Sequence, residues 1–173
     1  MHEIKKFIRN IPDFPKEGIL FRDITPLLQD AGAFESSVNQ MAELLKGQDI
    51  DYLVGIESRG FIFASALSLI MKKGFIAVRK PGKLPFTRIR ETYDLEYGSD
   101  SLEIHDDSLK DGKNVVIVDD LLATGGTALA TGNLIKQLNG HIIGYLFLIE
   151  LSDLDGAEKL GTENVWSLLK YSD

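Results

Sequence analysis

The chain has 173 residues, is 44% hydrophobic and 26% charged, and carries a formal net charge of −7 with no cysteine. That length fits one domain with a sizeable core. The lack of cysteine excludes disulfides and thiolate chemistry, and the acidic balance argues against nucleic acid as a main partner.

Residues 1–10 read as an amphipathic helix with Ile4, Phe7 and Ile8 on one face. The first fifteen residues contain no apolar h-region, and no apolar run in the chain reaches the length of a membrane span. The expectation is a cytoplasmic protein without a signal peptide. Pro12, Pro15, Gly18 and Pro26 predict a loop over 11–30. Ala33 to Lys46 predicts a helix ending at Gly47. Asp51 to Ile56 reads as a buried strand, Glu57-Ser58-Arg59-Gly60 as a turn, and Phe61 to Lys73 as a helix with Gly74 at its C′ position.

Phe75 to Arg79 is the next strand. A polar stretch from Lys80 to Glu91 follows, then a hairpin of Thr92 to Tyr97 with Ser101 to His105. Val115 to Val118 predicts a buried strand that ends in two acids, Asp119 and Asp120. A small-residue turn, Ala123 to Thr127, leads into a helix over Ala128 to Leu138. A strand over His141 to Ile149, a short helix near Ala157 to Leu160 and a strand over Val165 to Leu169 complete the chain.

This alternation predicts an α/β fold with a mainly parallel, twisted sheet flanked by helices. In such sheets ligands bind beyond the carboxyl ends of the strands. The turn at Glu57 to Gly60, the basic run after Phe75 to Arg79, and Asp119 to Thr127 all fall there. Arg79, Lys80, Lys83, Arg88 and Arg90 form a cationic cluster on an acidic chain, which suits a small, highly charged anion. The turn from Ala123 to Thr127 precedes a helix, whose free N–H groups and dipole favour a phosphate. It lacks the lysine of a Walker loop, and no dinucleotide fingerprint follows any strand. Two adjacent acids beside a phosphate turn are compatible if they accept from sugar hydroxyls or sit near a cation. A ribose phosphate with Mg²⁺ satisfies both conditions. His2, His105 and His141 have no metal-ligand spacing.

The stretch VVIVDDLLATGGT resembles the phosphoribosyl-diphosphate (PRPP) signature of type I phosphoribosyltransferases. FPKEGILFRDITPLL, GIESRGF, RKPGKLP and TYDLEYG stand around it in the order and spacing of the adenine phosphoribosyltransferase family. The resemblance covers nearly the whole chain. It implies one phosphoribosyltransferase domain over 1–173. Within it, 1–32 form a hood, 33–150 form the core with a mobile loop over 80–100, and 151–173 form a tail that joins the hood.

The resemblance also implies roles for particular residues. Ala123, Thr124, Gly125, Gly126 and Thr127 would bind the 5′-phosphate, and Asp119 and Asp120 the ribose hydroxyls. Ser58, Arg59 and Gly60 would bind the diphosphate, after a cis peptide between Glu57 and Ser58. Arg79, Lys80 and Lys83 would add cations there. Glu96 and Tyr97 would lie on the mobile catalytic segment, with Glu96 serving the purine ring nitrogens. Phe21 and Leu151 would sandwich the base, with the backbone of Leu20 and Arg22 reading its edge.

The implied reaction joins PRPP and adenine to give AMP and diphosphate, with Mg²⁺, in a homodimer. Enzymes for 6-oxopurines often carry a further Asp where this chain has Ala123, so that departure favours adenine. Xanthine phosphoribosyltransferases lack that Asp too, so another purine stays open as the acceptor. A PRPP- or purine-sensing regulator on the same fold is the other alternative.

Overall fold

The computed structural model describes residues 2–94, 98–110, 112–161 and 164–172. The N-terminal helix is shorter than its periodicity predicts. Helix α1 spans His2–Lys5, and Arg9–Ile11 instead forms strand β1. β1 pairs antiparallel with β2 (Phe21–Asp23), Ile11 opposite Phe21. The apolar face still does its work, since Ile4 and Ile8 are buried. Pro26 does not break the chain as expected. It sits in the first turn of α2 (Thr25–Gln29), where its missing N–H leaves no bond unmade. Helix α3 (Ala31–Leu44) begins two residues before the predicted start, because the Asp30 carboxylate accepts from the Ala33 amide at 2.8 Å.

Strand β3 (Tyr52–Ile56), helix α4 (Arg59–Met71) and strand β4 (Gly74–Val78) follow as one parallel unit. Lys72, at φ +55°, takes the left-handed cap that the sequence assigned near Gly74. Gly74 has a different reason: a Cβ there would lie 2.6 Å from Tyr52 Cε1. The peptide between Glu57 and Ser58 is cis, as the family resemblance implies, and Phe14–Pro15 is cis too.

Strands β5 (Arg88–Asp94) and β6 (Ser99–His105) form a hairpin longer than predicted, with Arg88 opposite His105 and Asp94 opposite Ser99. Strand β7 (Asn114–Leu122) also runs further than its apolar core, so both acids lie within it. Its backbone stays paired because β8 (His141–Leu151) extends alongside, with Asp119 opposite Phe147 and Leu122 opposite Glu150. Between them lies α5 (Gly126–Gln137). A 3₁₀ turn (Ser152–Leu154), α6 (Gly156–Lys159) and β9 (Val165–Tyr171) end the chain.

The main sheet has the order β4-β3-β7-β8-β9 and is parallel throughout. β7 alternates its side chains between two cores. Val116 and Val118 pack with Val38, Met41, Phe63 and Leu67 of α3 and α4. Val115 and Ile117 pack with Leu134 and Ile135 of α5 and with Leu102 and Ile104 of the hairpin. The strand therefore reads as a continuous apolar run, as a strand covered on both faces must.

Candidate active site

From β3 the chain steps outward to β4, then returns to β7 and proceeds the other way. The winding direction thus reverses between β3 and β7, and in such sheets this is where a crevice opens. A cavity of about 310 Å³ occupies that position. Ser58, Arg59, Lys80, Asp119, Asp120 and the whole of Ala123 to Thr127 line it. The three strand-end segments marked in the sequence therefore do meet.

The turn is held open to ligand by its backbone. Gly125 adopts φ +79°, and a Cβ on it would lie 2.7 Å from the Gly156 carbonyl oxygen. Only glycine fits this left-handed, closely packed corner. Helix α5 begins at the next residue, so its unpaired amides face the cavity end of the helix. Gly60 is placed differently. It is buried beneath the acids, and a Cβ there would lie 2.7 Å from Asp119 Oδ1 and 2.9 Å from the Val118 carbonyl oxygen. Its small size lets α4 approach the end of β7.

Asp120 is buried, and its Oδ2 pairs with Arg59 Nε at 3.0 Å. Asp119 is half-buried, and its Oδ1 accepts the Asp120 amide at 2.9 Å. Burial pushes the Asp119 carboxyl well above the usual carboxylate range, and the neighbouring Asp120 charge adds to this. Burial raises Asp120 as well, against the opposing pull of Arg59. Two enclosed carboxylates with one guanidinium between them carry surplus negative charge. Sugar hydroxyls or a cation in the cavity would relieve it.

The cationic cluster is not a bare patch. Each of its members has a carboxylate partner. Glu57 Oε2 accepts from Arg79 Nε at 3.2 Å and from the Lys80 amide at 3.0 Å, while Oε1 lies 3.5 Å from Lys83 Nζ. Burial works to raise the Glu57 pKa, but these donors outweigh it and hold the carboxyl below its ordinary value. Glu103 is buried between Arg88 Nε at 3.1 Å and Arg90 Nη2 at 2.6 Å. Lys80 pairs with Asp100. Of the three expected diphosphate cations only Lys80 lines the cavity, while Arg79 and Lys83 stand behind it on Glu57.

The expected base-binding residues gather on the hood side. The Phe21 ring meets Phe14 edge-on at 5.1 Å between centroids, and the Arg59 guanidinium carbon lies 5.4 Å over it. The Arg22 side chain is buried and turned away. It donates to Asn10 Oδ1 at 2.6 Å and stacks over Tyr171 at 4.3 Å, and its backbone stands opposite Asn10 in the β1–β2 pair. Leu20 is half-buried just before β2, and Leu151 ends β8 at the same strand-end edge. Glu96 and Tyr97 lie outside the described residues. Glu57 on the cavity wall, and Tyr93, Asp100 and Glu103 behind it, are polar residues to which the sequence reading gave no role. Tyr93 lies on β5, whose alternating burial sets Ile89, Glu91 and Tyr93 on one face.

The class follows from the match of residues 23–166 to the model of the phosphoribosyl transferase domain. Every lining residue of the cavity falls inside it. The chain is 55% identical to an adenine phosphoribosyltransferase from Halothermothrix orenii, over 97% of this chain and 99% of that one. The solved adenine phosphoribosyltransferase of Thermoanaerobacter pseudethanolicus superposes with TM-score 0.96 at 50% identity, covering 98% and 99% of the two chains. That of Saccharomyces cerevisiae, solved with an imino-altritol bisphosphate and adenine, gives TM-score 0.91 at 43% identity over 96% and 97%. The chain belongs to the adenine phosphoribosyltransferase family.

Proposed function

We propose that this chain is a purine-salvage enzyme that transfers the 5-phosphoribosyl group of PRPP to N9 of adenine, giving AMP and diphosphate. The observation that carries the reading is the meeting of Arg59, the acid pair and the phosphate turn around one cavity at the reversal of the sheet. The bond from C1′ to the diphosphate oxygen breaks and its electron pair leaves with the diphosphate. The bond from C1′ to N9 forms, and adenine loses its N9 proton.

The turn amides and the Thr124 and Thr127 hydroxyls donate to the 5′-phosphate. Asp119 and Asp120 accept from the ribose hydroxyls and steady the positive charge that develops on the ring. Arg59 exchanges its carboxylate partner for the diphosphate, while Lys80, with three N–H donors, reaches the diphosphate and keeps Asp100. As Arg59 moves, it leaves the Phe21 ring free to stack on the base. Glu96, between β5 and β6, handles the ring proton.

The buried acid pair also fits Mg²⁺, which takes one or two carboxylates together with phosphate oxygens. Asp119 and Asp120 are the residues that would hold it, and when bound it offsets negative charge on the diphosphate. Among the described residues no group of three or more His, Cys, Asp or Glu forms a cage for a metal ion.

The hood (1–32) and tail (151–173) act together over the core (33–150). Lys5 Nζ donates to the Lys170 carbonyl at 3.1 Å, and both Lys5 and Arg22 sit over the Tyr171 ring. The working form is a cytoplasmic homodimer. Among the described residues no helix is long and apolar enough to cross a membrane. Yet Leu69 is 80% exposed at the end of α4, with Ile70 and Phe75 also exposed beside the edge strand β4. Such a face suits a second copy of the chain. Leu69→Lys is expected to shift the protein from dimer to monomer in sedimentation; an unchanged dimer overturns that interface.

The activity is tested with purified protein, PRPP, Mg²⁺ and adenine, with AMP as the readout. Hypoxanthine, guanine and xanthine compete in the same assay. Absence of AMP overturns the proposal, and preferential use of another base replaces adenine as the acceptor.

A further inference from the structure

One polar chain leaves the cavity and returns to it. It starts at Thr127 on the phosphate turn and ends at Lys80 after β4, both of which line the cavity. Its two middle members stand behind the wall. Tyr93 Oη on β5 lies 3.2 Å from Thr127 Oγ1 and 3.3 Å from Asp100 Oδ2 on β6. The Asp100 carboxylate in turn holds the Lys80 ammonium. Tyr93 also lies against the turn itself, since a Cβ on Gly126 would be 3.6 Å from its ring. The hairpin is anchored nearby on α5, where Glu91 accepts from Asn133 at 2.8 Å and from Gln137 at 2.9 Å.

The count of hydrogens gives this chain a direction. An ionised carboxylate only accepts. Lys80 holds Asp100 in that ionised form, well within reach of the Tyr93 hydroxyl. Tyr93 therefore donates to Asp100 and receives the Thr127 hydrogen. A phosphate on the turn accepts only as well, so it takes the Thr127 hydrogen, and Thr127 Oγ1 then shares the Tyr93 hydrogen with Asp100. A diphosphate draws on the same Lys80 ammonium. Both ends of one donor molecule thus meet groups braced by the two strands whose connection carries Glu96.

We propose that Tyr93 and Asp100 are positioning residues for the phosphoribosyl donor. They set the Thr127 hydroxyl and the Lys80 ammonium at a fixed separation and register the β5–β6 hairpin against the bound PRPP. This rests on the phosphoribosyl reading of the site. Neither residue touches substrate, so their effect reaches the reaction through Thr127, Lys80 and the hairpin.

The test measures steady-state constants for AMP formation, PRPP binding by calorimetry with Mg²⁺, and thermal stability. It compares the wild-type chain with Tyr93→Phe, Asp100→Asn, both together, and Glu91→Gln. Tyr93→Phe and Asp100→Asn are each expected to raise KM and Kd for PRPP about tenfold, the size of one lost hydrogen bond to a charged group. KM for adenine should stay within twofold. The double variant should cost no more than the larger single change, because both cut one chain. Tyr93→Phe combined with Glu91→Gln should instead be additive.

A donor KM unchanged in both single variants overturns the proposal. So does an equal rise for both substrates, or full additivity of the first pair. If the wild-type chain binds PRPP but makes no AMP, only the acceptor reading falls, and the calorimetric constants still decide the role of Tyr93 and Asp100. If it does not bind PRPP, the phosphoribosyl reading and this inference fall together.

Discussion

The phosphate turn and the basic segment meet at one cavity, the second through Lys80, and are built on opposite rules. From Ala123 to Thr127 the binding groups are mainly backbone amides, and their aim is set by Gly125 in its left-handed corner against Gly156. From Arg79 to Arg90 the binding groups are long side chains, and each cation is held by an acid: Glu57, Asp100 or Glu103. In the proposed complex the first region would take a phosphate on backbone already in place, while the second would share its cations between protein carboxylates and the diphosphate. Under the proposed reaction, the end of PRPP that is retained would meet rigid backbone, and the end that leaves would meet side chains already paired with acids.

The acids between the two regions give the largest expected effect. Asp119→Asn with Asp120→Asn should lower kcat/KM by about a thousandfold, the upper range for loss of a preorganised electrostatic group. The same change should make the protein more stable at neutral pH. Burial raises the folded-state pKa of Asp119 above its unfolded value, so its ionisation opposes folding at high pH. That cost is present above the folded pKa and vanishes below the unfolded value of about 4. Melting curves of Asp119→Asn and wild type should therefore differ most near neutral pH and converge in acid. A gain that grows in acid would contradict the assignment.

Next comes the rigid side. Gly125→Ala places a Cβ at φ +79° and 2.7 Å from the Gly156 oxygen, and should destabilise the fold by about 2 kcal/mol or more. Denaturant unfolding measures this, and a neutral result would mean the corner relaxes easily.

The side-chain region should respond in steps. Lys80→Met, which removes the cation on the cavity wall, should raise KM for PRPP about tenfold. Lys83→Met, which removes a cation held on Glu57 behind the wall, should change it less than about threefold. Equal effects would show that Lys83 reaches the ligand after all.

How much of this was legible in the chain follows from distance along it. The strand, acid pair, turn and helix from Asn114 to Gln137 are contiguous, so composition and order exposed them together. Even there the strand runs on through Leu122, because β8 supplies backbone partners that no local pattern displays. Pro26 misled because proline ends a helix in its interior but is at home in a first turn. The partners of the Arg22 guanidinium, Asn10 and Tyr171, came only with the fold.

The identity of the family, the α/β class, the acid pair and the phosphate turn were all carried by local order, because each is a run of neighbouring residues. The charge state of the site was not. Arg79 meets Glu57 across 22 residues and Arg90 meets Glu103 across 13, so a segment that reads as bare cations folds into matched pairs. Tyr93 likewise joins Thr127 across 34 residues. Ion pairs and hydrogen bonds act through space over a few ångströms, and only the folded chain brings such residues within that range.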